Sequence, residues 1–327
     1  MLDKDDKMSI KILGTGSAIP SRFVTNDDLA KVMDTSDEWI RSRTGIGGRH
    51  IAITETSNDM AAEAAQKALE DANIKAEELD MILVATISPD QVMPNTACEV
   101  QKRIGANRAV CFDLNAACTG FLFALHTAAA YIMSGFAQHV LVIGVETLSK
   151  IMDWNDRSTC VLFGDGAGAV IATKANRCPY EAIVGSNGEK GDVLALDGRK
   201  NHNLYIQQEH KMDYVTMNGQ EVFKFAVSTV PKITKEVLEK ANVSVEEVDW
   251  FILHQANERI LQSVAKRLHA PLEKFPMNLE RFGNTSSASI PLLLDEMNQQ
   301  HKLKEGDKIV LCGFGGGLTY GAIYLTW

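Results

Sequence analysis

The chain repeats one architectural unit twice. A shift of 169 residues, the distance from Asp80 to Asp249, lays Leu69-Glu70-Asp71-Ala72-Asn73 on Leu238-Glu239-Lys240-Ala241-Asn242. The same register continues without a gap. It sets Glu77-Glu78 on Glu246-Glu247, Met81 to Ala85 on Trp250 to His254, and Val140 to Gly144 on Ile309 to Gly313. It also pairs Asn115 with Asn284 and Cys118 with Ser287. One block in register is a common accident, but four mark an internal duplication. Two related units must therefore form and pack together.

Each copy reads as helix, apolar strand, long connection, small-residue turn, buried helix, buried strand, glycine-rich turn and closing strand. Such alternation builds a mostly parallel sheet covered by helices, so the expected fold class is α/β, divided into residues 9–174 and 175–327. Leu114 to Val145 contains no Asp, Glu, Lys or Arg, a length that raises the question of a membrane span. Its apolar part, Phe121 to Met133, is too short, carries His126 and stops at Ser134-Gly135. A buried helix leading into a buried strand is expected instead, with no membrane insertion. The net charge of −9 argues against nucleic acid as a partner.

Six cysteines, Cys98, Cys111, Cys118, Cys160, Cys178 and Cys312, contain no C-x-x-C pair and sit mostly in apolar runs. That pattern suits reduced thiols in a cytoplasmic protein and gives no metal site. Met1 to Lys7 is charged and lacks the apolar core of a signal peptide, so no export is expected.

In open parallel sheets, ligands gather beyond the carboxyl ends of the strands. Three residues fall there. Cys118, in Asn115-Ala116-Ala117-Cys118-Thr119-Gly120, heads the buried helix, where free backbone N–H groups lower a thiol pKa. His254 emerges from the apolar strand Trp250 to Leu253, and Asn284 lies in Phe282-Gly283-Asn284-Thr285-Ser286-Ser287. Taken singly, each has a structural reading: a core cysteine, a satisfied histidine, a turn that caps a helix. Gly14-Thr15-Gly16-Ser17-Ala18-Ile19 and Gly313-Phe314-Gly315-Gly316-Gly317 do not form a dinucleotide fingerprint, because the first lacks a third glycine and the second runs into a strand.

Taken together, these features resemble the thiolase-fold condensing enzymes, and among them the β-ketoacyl-acyl carrier protein synthase III family of type II fatty-acid synthesis. The resemblance rests on Gly14 to Ser17, Thr35-Ser36-Asp37-Glu38-Trp39-Ile40, Arg43-Thr44-Gly45-Ile46, Ala116 to Phe121, Phe163 to Ala169, His254 to Asn257, Gly283 to Ser286 and Phe314 to Gly317. It implies a five-layered αβαβα fold and a homodimer. It also implies an acyltransferase that loads an acyl-CoA, acetyl-CoA or a somewhat longer starter, on Cys118 and condenses it with malonyl-acyl carrier protein. No cofactor is needed, since acyl-CoA is a substrate. His254 and Asn284 complete the site, with the Cys118 and Gly316 N–H groups as oxyanion hole.

By the same resemblance, Thr35, Trp39, Arg43, Arg157, Gly219 and Asn257 line the CoA groove and Met93 reaches the acyl pocket of the other subunit. Lys224, Arg259, Lys266 and Arg267 receive the acidic carrier protein. Elongating synthases carry two histidines where this chain has His254 and Asn284, and thiolases carry a cysteine where it has Gly313. An acyltransferase or secondary-metabolic synthase with an unusual starter stays open as the alternative.

Overall fold

Met81 to Ala85 is apolar at every position, and such a strand is stable only with cover on both faces. Met81, Leu83 and Ala85 point into one buried cluster, while Ile82 and Val84 point into another. The computed structural model describes residues 8–176, 179–206 and 213–327. Met1 to Lys7 and Cys178 thus lie outside the described residues.

The first half runs β1 (Met8–Ala18), the pair β2 (Arg22–Thr25) and β3 (Gly48–Ile51) enclosing α1 (Asn26–Ala30) and α2 (Asp37–Thr44), then α3 (Ser57–Ala72) and β4 (Met81–Ala85). There follow α4 (Thr96–Ile104), β5 (Val110–Leu114), α5 (Gly120–Met133), β6 (His139–Glu146) and β7 (Gly166–Asn176). The sheet order is β1-β7-β6-β4-β5, parallel from β5 through β6 and antiparallel beyond.

The second half opens with β8 (Tyr180–Ser186), the short pair β9 (Leu194–Ala195) and β10 (Thr216–Met217), and α6 (Gly219–Ala241). It continues through β11 (Trp250–Leu253), α7 (Glu258–Leu268), α8 (Leu279–Phe282), α9 (Ser289–Gln299), β12 (Lys308–Gly315) and β13 (Thr319–Thr326). Its sheet, β11-β12-β13-β8, follows the order of the first but has four strands. The repeat register sets β5 on the segment that forms α8, so the fifth strand has no counterpart.

Helices α5 and α9 lie between the sheets and touch both. Outside them, α3 and α4 cover the first sheet, and α6 and α7 the second. The result is the five-layered αβαβα arrangement of the thiolase fold. The uncharged stretch became α5 and β6, and no helix among the described residues is long and apolar enough to cross a membrane.

The duplication extends to backbone detail. Asn73 and Asn242, equivalent in the repeat, both cap their helices in the left-handed conformation, at φ 52° and 55°. Ala117 and Ser286, also equivalent, sit at φ 46° and 49°. A non-glycine residue held there costs on the order of 1–3 kcal/mol and persists only where its surroundings enforce it.

These two turns carry Cys118 and Ser287 across into the opposite half. A Cβ on Gly144 of β6 would stand 2.2 Å from the Ser287 carbonyl oxygen, and one on Gly315 of β12 would stand 2.8 Å from the Cys118 nitrogen. Only glycine permits either approach.

Candidate active site

Cys118 lies in a single 3₁₀ turn, Ala117–Thr119, immediately before α5. The Thr119 hydroxyl donates to the Ala116 carbonyl at 2.7 Å and meets the Thr319 hydroxyl at 2.8 Å, tying the turn to β13. The thiol residue is 7% exposed.

His254 follows β11 directly, and its N–H donates to the Cys312 carbonyl at 2.8 Å, so the parallel ladder fixes its backbone. Its Nδ1 is 2.6 Å from the Ser289 hydroxyl. That oxygen also accepts the Gln255 N–H at 3.4 Å. With Nδ1 as acceptor the Ser289 hydroxyl proton has its partner, and the remaining ring proton then sits on Nε2. Phe314 packs edge-on against the ring at 5.4 Å.

Asn284 is held by backbone bonds to Leu162 and Gly164. Its Oδ1 accepts the Ser286 N–H at 2.8 Å, which leaves the Nδ2 hydrogens as the donors this amide can offer. The imidazole and the amide therefore both present N–H groups, the requirement for stabilising negative charge on an oxygen.

Cys118, His254 and Asn284 line one cavity of about 640 Å³, whose wall extends to Trp39, Arg43, Gly219 and Asn257. A second, about 440 Å³ in volume, also reaches Cys118 and is lined by Ile87, Leu148, Met152, Leu196 and Val215. Cys118, Phe163 and Leu194 belong to both. Both linings are mostly apolar; the larger, the polar cavity, is set apart by Arg43, His254, Asn257 and Asn284 in its wall, whereas the smaller, the apolar cavity, has no charged side chain in its lining.

The remaining expected residues fall at several distances from this junction. Trp39 carries two guanidinium groups over its ring, Arg43 at 4.8 Å and Arg157 at 5.5 Å, although Arg157 lies outside the cavity lining and bonds to Asp34. Thr35 sits in the turn before α2 and does not line the cavity. Asn257 caps α7 and donates to the Arg43 carbonyl at 3.0 Å. Gly316 lines the apolar cavity opposite Ala117.

Met93 is 87% exposed and lines neither cavity of its own chain. On α7, Arg259, Lys266 and Arg267 are exposed, and no ion pair among the described residues engages them. Lys224, in contrast, pairs with Glu221 at 2.7 Å. Four participants escaped the sequence reading: Ser289, Phe314, Ser286 and Glu146. Glu146 had a signal, being the first charged residue after the uncharged stretch and the last of a buried strand.

Electrostatics correct one expectation. The start of α5 does not lower the Cys118 pKa; burial pushes the thiol up to about 12, with a Ser286 contact pulling downward and the nearby Glu146 pushing upward. The turn supplies N–H groups, but it also seals the sulfur from water, and desolvation of a thiolate is the larger effect. Burial likewise lowers His254 to about 3. At neutral pH the resting pair is a neutral thiol and a neutral imidazole.

Two family descriptions match this chain: 3-oxoacyl-[acyl-carrier-protein] synthase III over residues 112–188, and its C-terminal counterpart over residues 238–327. A β-ketoacyl-[acyl-carrier-protein] synthase III of Clostridium acetobutylicum is 51% identical over 321 residues, covering 98% of this chain and 99% of that protein. Among solved structures, the 3-oxoacyl-[acyl-carrier-protein] synthase III of Aquifex aeolicus superposes with a TM-score of 0.91 at 46% identity, over 97% of this chain and all of that one. The corresponding enzyme of Pseudomonas aeruginosa gives 0.90 at 38% identity, over 98% of each chain.

The lowered His254 pKa has a checkable consequence. A buried group that is neutral when folded and protonated when unfolded contributes stability present above the unfolded value of 6.5 and lost as pH falls toward about 3. Within that window the slope approaches about 1.4 kcal/mol per pH unit. Urea midpoints measured across it should fall less steeply in His254→Gln than in the wild type. Equal slopes would mean that His254 is solvated.

Proposed function

The chain belongs to the 3-oxoacyl-acyl carrier protein synthase III family, and from that premise we propose how its residues divide the reaction. The protein is the initiating condensing enzyme of type II fatty-acid synthesis, an acyltransferase. One observation carries the division of labour: Cys118 lines both cavities, the one that reaches Trp39 and Arg43 and the one without a charged side chain. A thioester can enter through one and leave its acyl chain in the other.

In the first half-reaction, Cys118 Sγ attacks the thioester carbonyl of an acyl-CoA. The C–S bond to CoA breaks, CoA leaves with the proton the thiol gave up, and the acyl group stays on Cys118. The Cys118 and Gly316 N–H groups hold the transient oxyanion. The polar cavity takes the CoA arm, with Trp39, Arg43 and Arg157 near its nucleotide end and Gly219 and Asn257 along the pantetheine, while Thr35 stands beyond the lining. Planar, permanently charged guanidinium groups suit both purine stacking and phosphate.

In the second half-reaction, malonyl-acyl carrier protein enters the emptied arm and loses CO₂. The electron pair released appears as an enolate, whose oxygen takes hydrogen bonds from His254 Nε2 and Asn284 Nδ2. Its carbon attacks the stored acyl group, a C–C bond forms, and the Cys118 thiolate departs and recovers a proton. A neutral histidine suits this role, because it donates a hydrogen bond without surrendering its proton.

Homodimerisation gives the exposed Met93 tip a role at the end of the partner's apolar cavity, where an adaptable methionine fits starters somewhat longer than acetyl. The five free cysteines among the described residues support a reducing, cytoplasmic setting. For the acidic carrier protein, α7 is the favoured surface: its first turn borders the polar cavity, and Arg259, Lys266 and Arg267 stand exposed on it. Lys224 is a weaker contributor, being engaged by Glu221.

Intact-protein mass measured after acyl-CoA addition tests the nucleophile. Cys118→Ala should take up no acyl group, and acylation of any other cysteine in that variant would refute the assignment. For His254→Ala and Asn284→Ala, condensation should fall by about 10²-fold or more through loss of an oxyanion donor, with acylation hurt less. Equal losses in both half-reactions would contradict the division.

Reversing charge in Arg259→Glu together with Lys266→Glu should slow condensation with malonyl-carrier protein by about tenfold at low salt, the deficit shrinking as salt rises. Self-acylation by acyl-CoA should be unchanged. A matching loss of self-acylation would remove α7 from the docking surface.

A further inference from the structure

Glu146, the last residue of β6, is fully buried between the two catalytic loops. Its Oε2 accepts three donors: the Ser88 hydroxyl at 2.5 Å, the Ile87 N–H at 3.1 Å and the Thr86 hydroxyl at 3.3 Å. Its Oε1 is 2.9 Å from the Ser287 hydroxyl. That hydroxyl has a single proton and a second partner, the Ala85 carbonyl, also at 2.9 Å. A carbonyl can only accept. When Ser287 donates to Ala85, the proton of the Glu146–Ser287 contact must come from the carboxyl group, and each of these contacts then pairs one donor with one acceptor.

Between this carboxyl and the nucleophile stands Ser286. Its hydroxyl is buried without a hydrogen-bond partner, yet it lies close enough to Cys118 and to Glu146 to act on both. We propose that Glu146 is a positioning residue that works as a neutral carboxylic acid, clamping the Ile87 loop to the Asn284–Ser287 loop and keeping negative charge away from Cys118 while its thiol ionises. The inference rests on Cys118 being the nucleophile.

Burial pushes the Glu146 carboxyl up to about 7, against the pull of its hydroxyl and amide donors. Above that pH the acid ionises, and its charge raises the Cys118 pKa further. The surrounding segments contribute few other charges. The loop after β4 carries Asp90, paired with Lys150, and the turn after β6 packs on Asp165, which accepts from Ser149 and Ala52. The Cys118 turn and the Asn284–Ser287 loop bring no titrating group besides the thiol.

Two measurements test this, neither needing CoA or carrier protein. In wild-type protein labelled at the glutamate side-chain carboxyl carbon, NMR should show one glutamate titrating near pH 7, since Glu146 is the one glutamate buried in the described core. Alkylation of Cys118 by iodoacetamide, followed by mass, should rise with pH, with a shallower slope around pH 7 in the wild type.

Glu146→Gln, which keeps a donor for Ser287 and an acceptor for Oε2's partners, should show no such break. It should match the wild type at about pH 6 and lead by about threefold at about pH 9. Absence of a glutamate titrating above its ordinary range overturns the neutral acid, even if the variant does not fold. Superimposable alkylation profiles overturn its coupling to Cys118. Failure of either leaves the nucleophile assignment standing, because that depends on acyl uptake in the wild type and its loss in Cys118→Ala.

Discussion

The site exists because two equivalent loops cross into each other's half of the molecule. The Cys118 turn presses its backbone against Gly315, and the Ser287 turn presses against Gly144. Each crossing requires a strained residue, Ala117 or Ser286, and a strand position with no side chain. The strain is stored beside the cavity that Cys118 and Asn284 both line. Neither half alone forms the constellation, since Cys118 comes from one copy and His254 and Asn284 from the other.

Crossing also seals the site, and burial then sets its charge states. A thiol, an imidazole and a carboxyl group all lose water together, and each moves toward its neutral form. This arrangement suits a condensation that builds and dissipates negative charge on oxygen twice. N–H donors fixed in advance by Ser289, Ser286 and the backbone ladder are what the proposed mechanism needs to hold that charge without reorganising.

The architecture was readable from the sequence because each duplicated strand is apolar at every position and each helix end is marked by its Asn cap, Asn73 or Asn242. Cys118, His254 and Asn284 were readable because turn residues beside apolar runs betray strand ends. The thiol's charge state was not, since a helix start is a local feature and desolvation is a tertiary one. The apolar cavity was hidden for the same reason. Ile87, the Leu148–Met152 turn, Leu196 and Val215 come from separate segments, each unremarkable until folded. The Lys224–Glu221 pair was readable too, because Glu221 lies three residues before Lys224 on a helix.

In the proposed reaction Cys118 parts the substrate, acyl chain to the apolar cavity and carrier arm to the polar one. A crystal structure of the enzyme acylated with a four- or five-carbon starter tests it most directly. The expected result is a thioester on Cys118 whose chain lies among Ile87, Leu148, Met152 and Val215, with a partner subunit's Met93 closing the far end and the Trp39 cavity left open. A chain running instead toward Trp39, or an acyl group on another residue, would contradict it.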